Sequence, residues 1–478
     1  LLLAGAMDRA GHGAGALRAY DRAWRLGGGD GGGLTGWQRL ARARLLATVP
    51  SRRDEALAEF RALHEEADDA ALGARNLELW RDMRRRQGMT AHVATLNRWL
   101  LERYPASGQA AEVVWDRGWS AEVRGSLGEA LEQYATVAEH ARTHSRAGQA
   151  RMRSGQIHLG RGDLEEAVQV FRRYLEDFPE GRRWEEASYW AAWSLAALGD
   201  TAAAREQVAR IRAEAPFSYY AVMGADLLGE PYEVRVPEGE PPVEPGWLAR
   251  GLDRLDALAA AGLDEGVEVE EGRLMARAQG STRVTLRLAE ALIERGRTIS
   301  GINLGWALRA EGQPWDRRLV QVVYPFPYRE MVQREAEEWG VDPIMLAALI
   351  RQESAFEADI VSHAGAVGLM QVMPPTGRAL ARAHGPTGFS DASLTTPEVN
   401  LHLGAAFFVE MSARYDGELP LVLSAYNAGP TRATRWRRYP EAADWLRFTE
   451  RIPFDETRGY VKNVRRNLGV YRVLYGSE

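Results

Sequence analysis

Residues 160–175 read Gly-Arg-Gly-Asp-Leu-Glu-Glu-Ala-Val-Gln-Val-Phe-Arg-Arg-Tyr-Leu. Within them Leu164, Ala167, Val168, Phe171 and Leu175 stand at i, i+3, i+4, i+7 and i+11, the apolar stripe of an amphipathic helix. Gly160 and Gly162 lie just ahead of the stripe, where a left-handed residue can close one helix, and Asp163 is placed to cap the next. The segment before them, around 147–159, is itself helical in character, so the whole reads as a helix–turn–helix unit. The unit recurs: Gly88, Gly125, Gly162 and Gly199 are spaced by 37 residues. Ala130, Ala167 and Ala204 hold one register of the repeat, and Tyr134, Phe171 and Val208 hold another. One helix pair cannot bury its apolar face alone, so successive pairs stack into an α-superhelix, with small residues such as Ala130 and Ala167 allowing close approach.

The period is slightly longer than the roughly 34 residues of tetratricopeptide repeats, which the pattern resembles. From the repeat alone, a curved binding surface and a plain scaffold are equally open. Ahead of the repeats, Gly27–Gly33 reads as a flexible connector. Beyond them, Gly229–Gly246 (GEPYEVRVPEGEPPVEPG) is rich in proline, glycine and glutamate, the composition of a linker or an irregular arm over the surface. A second helical stretch runs over 247–324, its segment 285–296 (TLRLAEALIERG) being strongly helix-forming. Tyr324-Pro325-Phe326-Pro327 then blocks helix continuation. The expected organisation is an all-α chain in four parts: a repeat superhelix over 1–228, a linker over 229–246, a helical linker domain over 247–324, and a last domain over 325–478.

Composition narrows the chemistry. At 478 residues the chain exceeds one compact core, domains being about 100–200 residues each. A net charge of −6 argues against binding nucleic acid through bulk positive charge. With no cysteine, disulfides, thiolate metal sites and cysteine nucleophiles are excluded. No stretch approaches the ~20 apolar residues that span a bilayer. The chain starts at Leu1 without methionine, as a processed product would, with any leader or lipid anchor out of view. Basic residues are arginine apart from Lys462. There is no HExxH, the nine histidines (His363, His384 and His402 among them) show no metal-ligand spacing, and no phosphate-binding loop is present. Neither a metal nor an organic cofactor is expected.

Asp342-Pro343 reads as a helix N-cap followed by proline at the first helical position. Met345, Leu346, Leu349 and Ile350 then form an apolar face, and Glu353 leaves that face near the helix end. Desolvation and the negative end of the helix dipole both favour its protonated form, as a general acid requires. On spacing alone, a solvated terminal glutamate is the commoner outcome. The neighbourhood is more specific: RQESAF at 351–356, GLMQVMP at 368–374, AYNAG at 425–429, and ERIPF with ETRGYV at 450–461. In this order and spacing the four segments closely resemble the catalytic domain of soluble lytic murein transglycosylases, glycoside hydrolase family 23, related to goose-type lysozymes.

The resemblance implies a lysozyme-like, mainly α domain with minor β that cleaves the glycan strands of peptidoglycan in the periplasm or cell envelope. The chain would be outer-membrane associated if a lipidated leader was removed. Carried over position by position, Glu353 is the catalytic acid/base, while Ser362, Gln371, Met373, Tyr426 and Glu450 line the substrate subsites. The implied partners are glycan strands and, through the repeats, proteins of wall synthesis or division. Asn427 is expected to end a helix, and Asn400 to precede and cap one. Glu357 and Asp359 match no second catalytic carboxylate. A muramidase-type hydrolase using Glu353 with water, and a non-catalytic peptidoglycan-binding scaffold, remain as alternatives. Residues 429–472 hold eleven basic against five acidic side chains, with Trp436, Tyr439 and Trp445 interleaved, a pattern leaning toward a sugar-binding face over a solvated one.

Overall fold

The computed structural model describes residues 1–28, 33–140 and 144–476. The centre of the Gly27–Gly33 connector lies outside the described residues. Two compact units divide the chain, Leu1–Ile211 and Arg212–Glu478. Among the described residues regular structure is helical, and the only β pairing is two isolated antiparallel bridges, Val361 with Val367 and Val367 with Val372. The fold class is all-α as expected.

The first unit is a succession of helices joined by short turns, with Ser145–Arg161 and Leu164–Asp177 forming the pair read from the sequence. Gly88, Gly125, Gly162 and Gly199 are all left-handed, with φ of 71°, 80°, 80° and 87°. Each closes its turn in a conformation that a Cβ would strain. Ala130, Ala167 and Ala204 are fully buried, as are Tyr134, Phe171 and Val208. Each aromatic ring lies on a glycine of the preceding helix. A Cβ on Gly118 would come within 2.8 Å of Tyr134, and one on Gly155 within 2.4 Å of Phe171. Asp163 departs from expectation: its side chain makes no cap hydrogen bond and instead pairs with Arg161 at 3.0 Å and His158 at 3.4 Å. Glu165 and Glu166 supply the negative charge in that first turn.

The second unit begins earlier than the expected boundary at 228. Helix Tyr219–Leu228 lies within it, packed so closely on helix Asp455–Tyr475 that a Cβ on Gly469 would strike Val222 at 2.7 Å. Asp226 pairs with Arg465 at 3.3 Å. The Pro/Gly-rich stretch is an irregular arm, as expected. Its carbonyls at Pro237, Glu240 and Pro241 accept hydrogen bonds from the Arg317 backbone and from the Arg318 and Arg283 side chains. Helices from Gly246–Ala260 to Arg317–Val323 follow. At the proline break, Tyr471 donates to the Pro325 carbonyl at 2.6 Å and Tyr475 to that of Tyr324 at 2.8 Å. One apolar core continues through the break, from Phe217 and Leu286 to Leu474. Helix Pro343–Glu353 sits in this core, with Ile344 to Ile350 all buried.

Candidate active site

Helix Pro343–Glu353 starts as its sequence dictates. Asp342 Oδ1 accepts from the Ile344 amide at 2.9 Å, and Pro343 occupies the first turn. The apolar run then buries the helix on every side and delivers Glu353 at its last position. The chain leaves sharply, since Ala355 and Phe356 are both left-handed at φ 50° and 68°. Ser354 holds that turn: Oγ donates to the Leu369 carbonyl at 2.8 Å and accepts from the Phe356 amide at 3.1 Å. Phe356 is fully buried beside Phe326 and Tyr471, which anchors the strained residue by packing.

The Glu353 carboxyl accepts a 2.5 Å hydrogen bond on Oε1 from the Tyr460 hydroxyl. Burial pushes its pKa up to about 7, against the opposing pull of the Tyr460 hydrogen bond. Near neutral pH this group both gives and takes a proton. The phenols of Tyr426 and Tyr460 are held well above their ordinary range by burial and by the charge of Glu353, so both remain hydrogen-bond donors.

The loop opposite is stitched from three sides. Ser354 bonds the Leu369 carbonyl, Tyr426 donates to the Met370 carbonyl at 2.9 Å, and Asn400 accepts from the Met370 amide at 2.7 Å. Asn400 also donates to the carbonyls of Val367 and Leu394 at 2.7 and 2.8 Å. It lies inside helix Pro397–Arg414 and is no cap; its fully buried amide shapes the loop instead. Gly368, at φ 79°, leaves no room for a side chain because Asn400 Nδ2 stands 2.3 Å from where a Cβ would be. Gln371 is left-handed at φ 49°, and its Nε2 donates to the Gly368 and Ile360 carbonyls at 3.0 and 3.2 Å. Ser362 closes a small turn, its Oγ accepting from the Ala366 amide at 2.9 Å. Met373 is 39% exposed just before helix Pro374–His384. Asn427 falls in the last turn of helix Leu419–Ala428, as expected, with Oδ1 accepting from the Thr457 hydroxyl at 2.7 Å.

Tyr426 and Ser354, the residue after Glu353, are thus both tied by hydrogen bonds to the loop that carries Ser362 and Gln371. Glu450 stands apart from them: its carboxylate is 7% exposed and paired with Lys462 at 2.8 Å and with Tyr220 at 3.1 Å. Tyr460 was not singled out from the sequence, although it lies in the ETRGYV segment, which was the one available signal. Of the interleaved aromatics, Trp436 is buried against Phe454, and Tyr439 and Trp445 lie under Arg451 and Arg465. Trp436 is a core residue and offers no face to a sugar. Glu357 accepts from the Ile299 amide at 2.9 Å and so caps helix Thr298–Ala310, while Asp359 is exposed. Glu335, Glu338 and His402 converge to within 4.8 Å. His402 Nδ1 faces Glu335 at 2.9 Å and Nε2 faces the His384 carbonyl at 3.1 Å. Burial alone would lower its pKa, but these acceptors raise it. No helix among the described residues is long and apolar enough to cross a membrane.

Residues 330–447 match the family described as Transglycosylase SLT domain, and residues 149–181 and 186–218 match Tetratricopeptide repeat. The chain is 28% identical over 329 residues to the soluble lytic murein transglycosylase of Escherichia coli K12, covering 67% of this chain and 48% of that protein. It is 30% identical over 173 residues to membrane-bound lytic murein transglycosylase C of Histophilus somni, covering 32% of this chain and 47% of that one. The chain thus spans about half the length of these curated relatives. The solved 70 kDa soluble lytic transglycosylase of Escherichia coli superposes with a TM-score of 0.68 at 19% identity, covering 99% of this chain and 80% of that one. An inactive glutamate-to-glutamine mutant of lytic transglycosylase Slt from Pseudomonas aeruginosa gives 0.62 at 21% identity, covering 98% and 80%. Both share the helical fold. Residues 330–447 are a transglycosylase SLT domain, preceded in the chain by tetratricopeptide repeats.

Proposed function

We propose that this chain is a peptidoglycan lytic transglycosylase acting in the periplasm or cell envelope, with Glu353 as its single acid/base. The observation that carries this reading is the Glu353 carboxyl, partly buried, bonded by Tyr460 and poised at a pKa of about 7. Protonated Glu353 gives its proton to the oxygen joining N-acetylmuramic acid to N-acetylglucosamine as the C1–O bond breaks. The 2-acetamido carbonyl of the same sugar shields the cationic C1. The Glu353 carboxylate then takes the proton of the muramyl 6-hydroxyl as O6 bonds to C1, closing a 1,6-anhydro ring. No water is consumed, and the acid is restored.

A tethered hydroxyl can outcompete water because effective molarities reach ~10⁵ M or more in good geometry. Two carboxylates are the usual requirement of glycosidases. Here the neighbouring Glu357 is committed to a helix N-terminus, which favours a mechanism in which the substrate itself supplies the second group. Ser362, Gln371, Met373 and Tyr426 are proposed to line the glycan subsites, with glycan strands as substrate and the repeats as a surface for wall-assembly proteins.

Digestion of purified murein, resolved by mass, tests the reading. The expected products are anhydro-ended fragments, one water lighter than hydrolytic ones. Hydrolytic ends instead would make the chain a muramidase, and binding without cleavage would make it a scaffold. Glu353→Gln is expected to lose at least about 10³-fold in turnover; undiminished turnover would sink the mechanism.

A further inference from the structure

Lysine occurs once in this chain, at 462, among sixty basic residues. That lysine is partly buried, its side chain 17% exposed. Its Nζ donates to Glu450 Oε2 at 2.8 Å and to the Tyr220 hydroxyl at 2.8 Å, and Tyr220 in turn donates to Glu450 Oε1 at 3.1 Å. The rings of Tyr219 and Tyr220 lie 5.7 and 5.1 Å from the ammonium. A compact ammonium reaches a carboxylate and a phenol from one point, where the planar fork of arginine would spread its donors. Three helices meet at this knot: Tyr219–Leu228, Trp445–Arg451 and Asp455–Tyr475. The last also carries Tyr460, two residues before the lysine and about 3 Å along the helix axis. A buried ion pair is a weak source of stability, yet it penalises every arrangement that leaves one of its charges alone.

We propose that Lys462 is a positioning residue, whose bonds to Glu450 and Tyr220 fix the setting of helix Asp455–Tyr475 at which Tyr460 reaches Glu353. Glu450 then acts at one remove from the sugar, as the anchor of Lys462. The knot also explains why helix Tyr219–Leu228 belongs to the second unit, since it supplies the phenol that completes the triangle.

The full-length chain tests this through Lys462→Met and the double variant Lys462→Met/Glu450→Leu, which leaves no charge buried alone. The first readout needs no turnover. The titration of Glu353 is followed as the pH dependence of the thermal stability difference between each protein and its Glu353→Gln counterpart. Tyr460 and Tyr426 are the groups facing Glu353, and the Tyr460 hydrogen bond holds its pKa down. Loss of that bond therefore moves the titration upward in both variants. The second readout rests on the transglycosylase reading: kcat on murein falls on the order of 10- to 100-fold with KM little changed, as misplacement of a reacting group predicts.

A folded double variant that titrates Glu353 where the parent does overturns the proposal, and a raised KM with kcat intact makes Glu450 a direct substrate contact instead. Tyr220→Phe, which deletes one hydroxyl and keeps the charge pair, gives the same changes in smaller size and decides the matter should the double variant fail to fold. A parent that leaves murein uncut removes the functional reading while the titration still answers for Lys462.

Discussion

The repeats and the active site solve the same local problem in opposite ways. Where the repeat chain turns between helices, the left-handed residue is glycine at four aligned positions, 88, 125, 162 and 199. Around Glu353 the chain also turns left-handed, but on Ala355, Phe356 and Gln371, and every described non-glycine residue with positive φ lies in the second unit. A β-carbon in that region costs about 1–2 kcal/mol. The repeats avoid that cost; the site bears it and offsets it with the Ser354 clamp, the buried Phe356 ring and the two loop bonds of the Gln371 amide. Regularity builds the scaffold, and over-determined strain places the acid.

Four experiments break or sharpen this contrast. The largest effect belongs to the scaffold: Phe171→Ala empties a fully buried site over Gly155 and is expected to destabilise the first unit by about 3–5 kcal/mol in denaturant unfolding.

Next is the cost of the acid itself. The unfolded chain releases the Glu353 proton near pH 4.5, whereas the folded protein holds it to about pH 7. Stability is therefore lost progressively between those two values and stays lower above them. Glu353→Gln removes the penalty. Its stability gain should be absent below pH 4.5 and reach on the order of 3 kcal/mol at pH 8. A gain that is flat with pH would contradict the raised pKa.

A smaller change comes from Gly162→Ala, which puts a Cβ at φ 80° with nothing else in its way and should cost about 1–2 kcal/mol. The converse substitution, Ala355→Gly, relieves backbone strain and should stabilise by less than about 1 kcal/mol, the looser unfolded chain offsetting part of the gain. Because it slackens the turn after Glu353, turnover on murein should fall even as stability rises. A variant both more stable and equally active would separate strain from function.

The contrast also sets what a reader of the sequence alone can see. The repeat is periodic, so the glycine spacing and the Ala167/Phe171 registers foretell which residues turn and which are buried. Glu353 is legible too, but through its neighbourhood: helix, cap and apolar face alone leave a solvated glutamate the commoner outcome, and the four segments in order at 351–356, 368–374, 425–429 and 450–461 reverse it. Its partner is not: Tyr460 stands 107 residues away, and no spacing rule links a helix end to a hydroxyl on another helix. Asn400 was misread for a related reason. Asparagine is a residue type that favours caps, and only the folded loop shows that this amide is spent on Val367, Leu394 and Met370. Glu450 and Lys462 likewise carry no local sign that they face each other. Asp163 failed on a finer scale, its carboxylate drawn to the charge of Arg161, with the His158 ring beside it.

The distance between Glu353 and Tyr460 along the chain also bears on biosynthesis. Every residue of the acid's own helix leaves the ribosome long before the phenol that holds it is translated. A nascent chain carries Glu353 as an unfinished part until helix Asp455–Tyr475, which brings the Tyr460 hydroxyl, has been made. The order of synthesis thus separates the making of the carboxyl from the making of the hydroxyl that holds it.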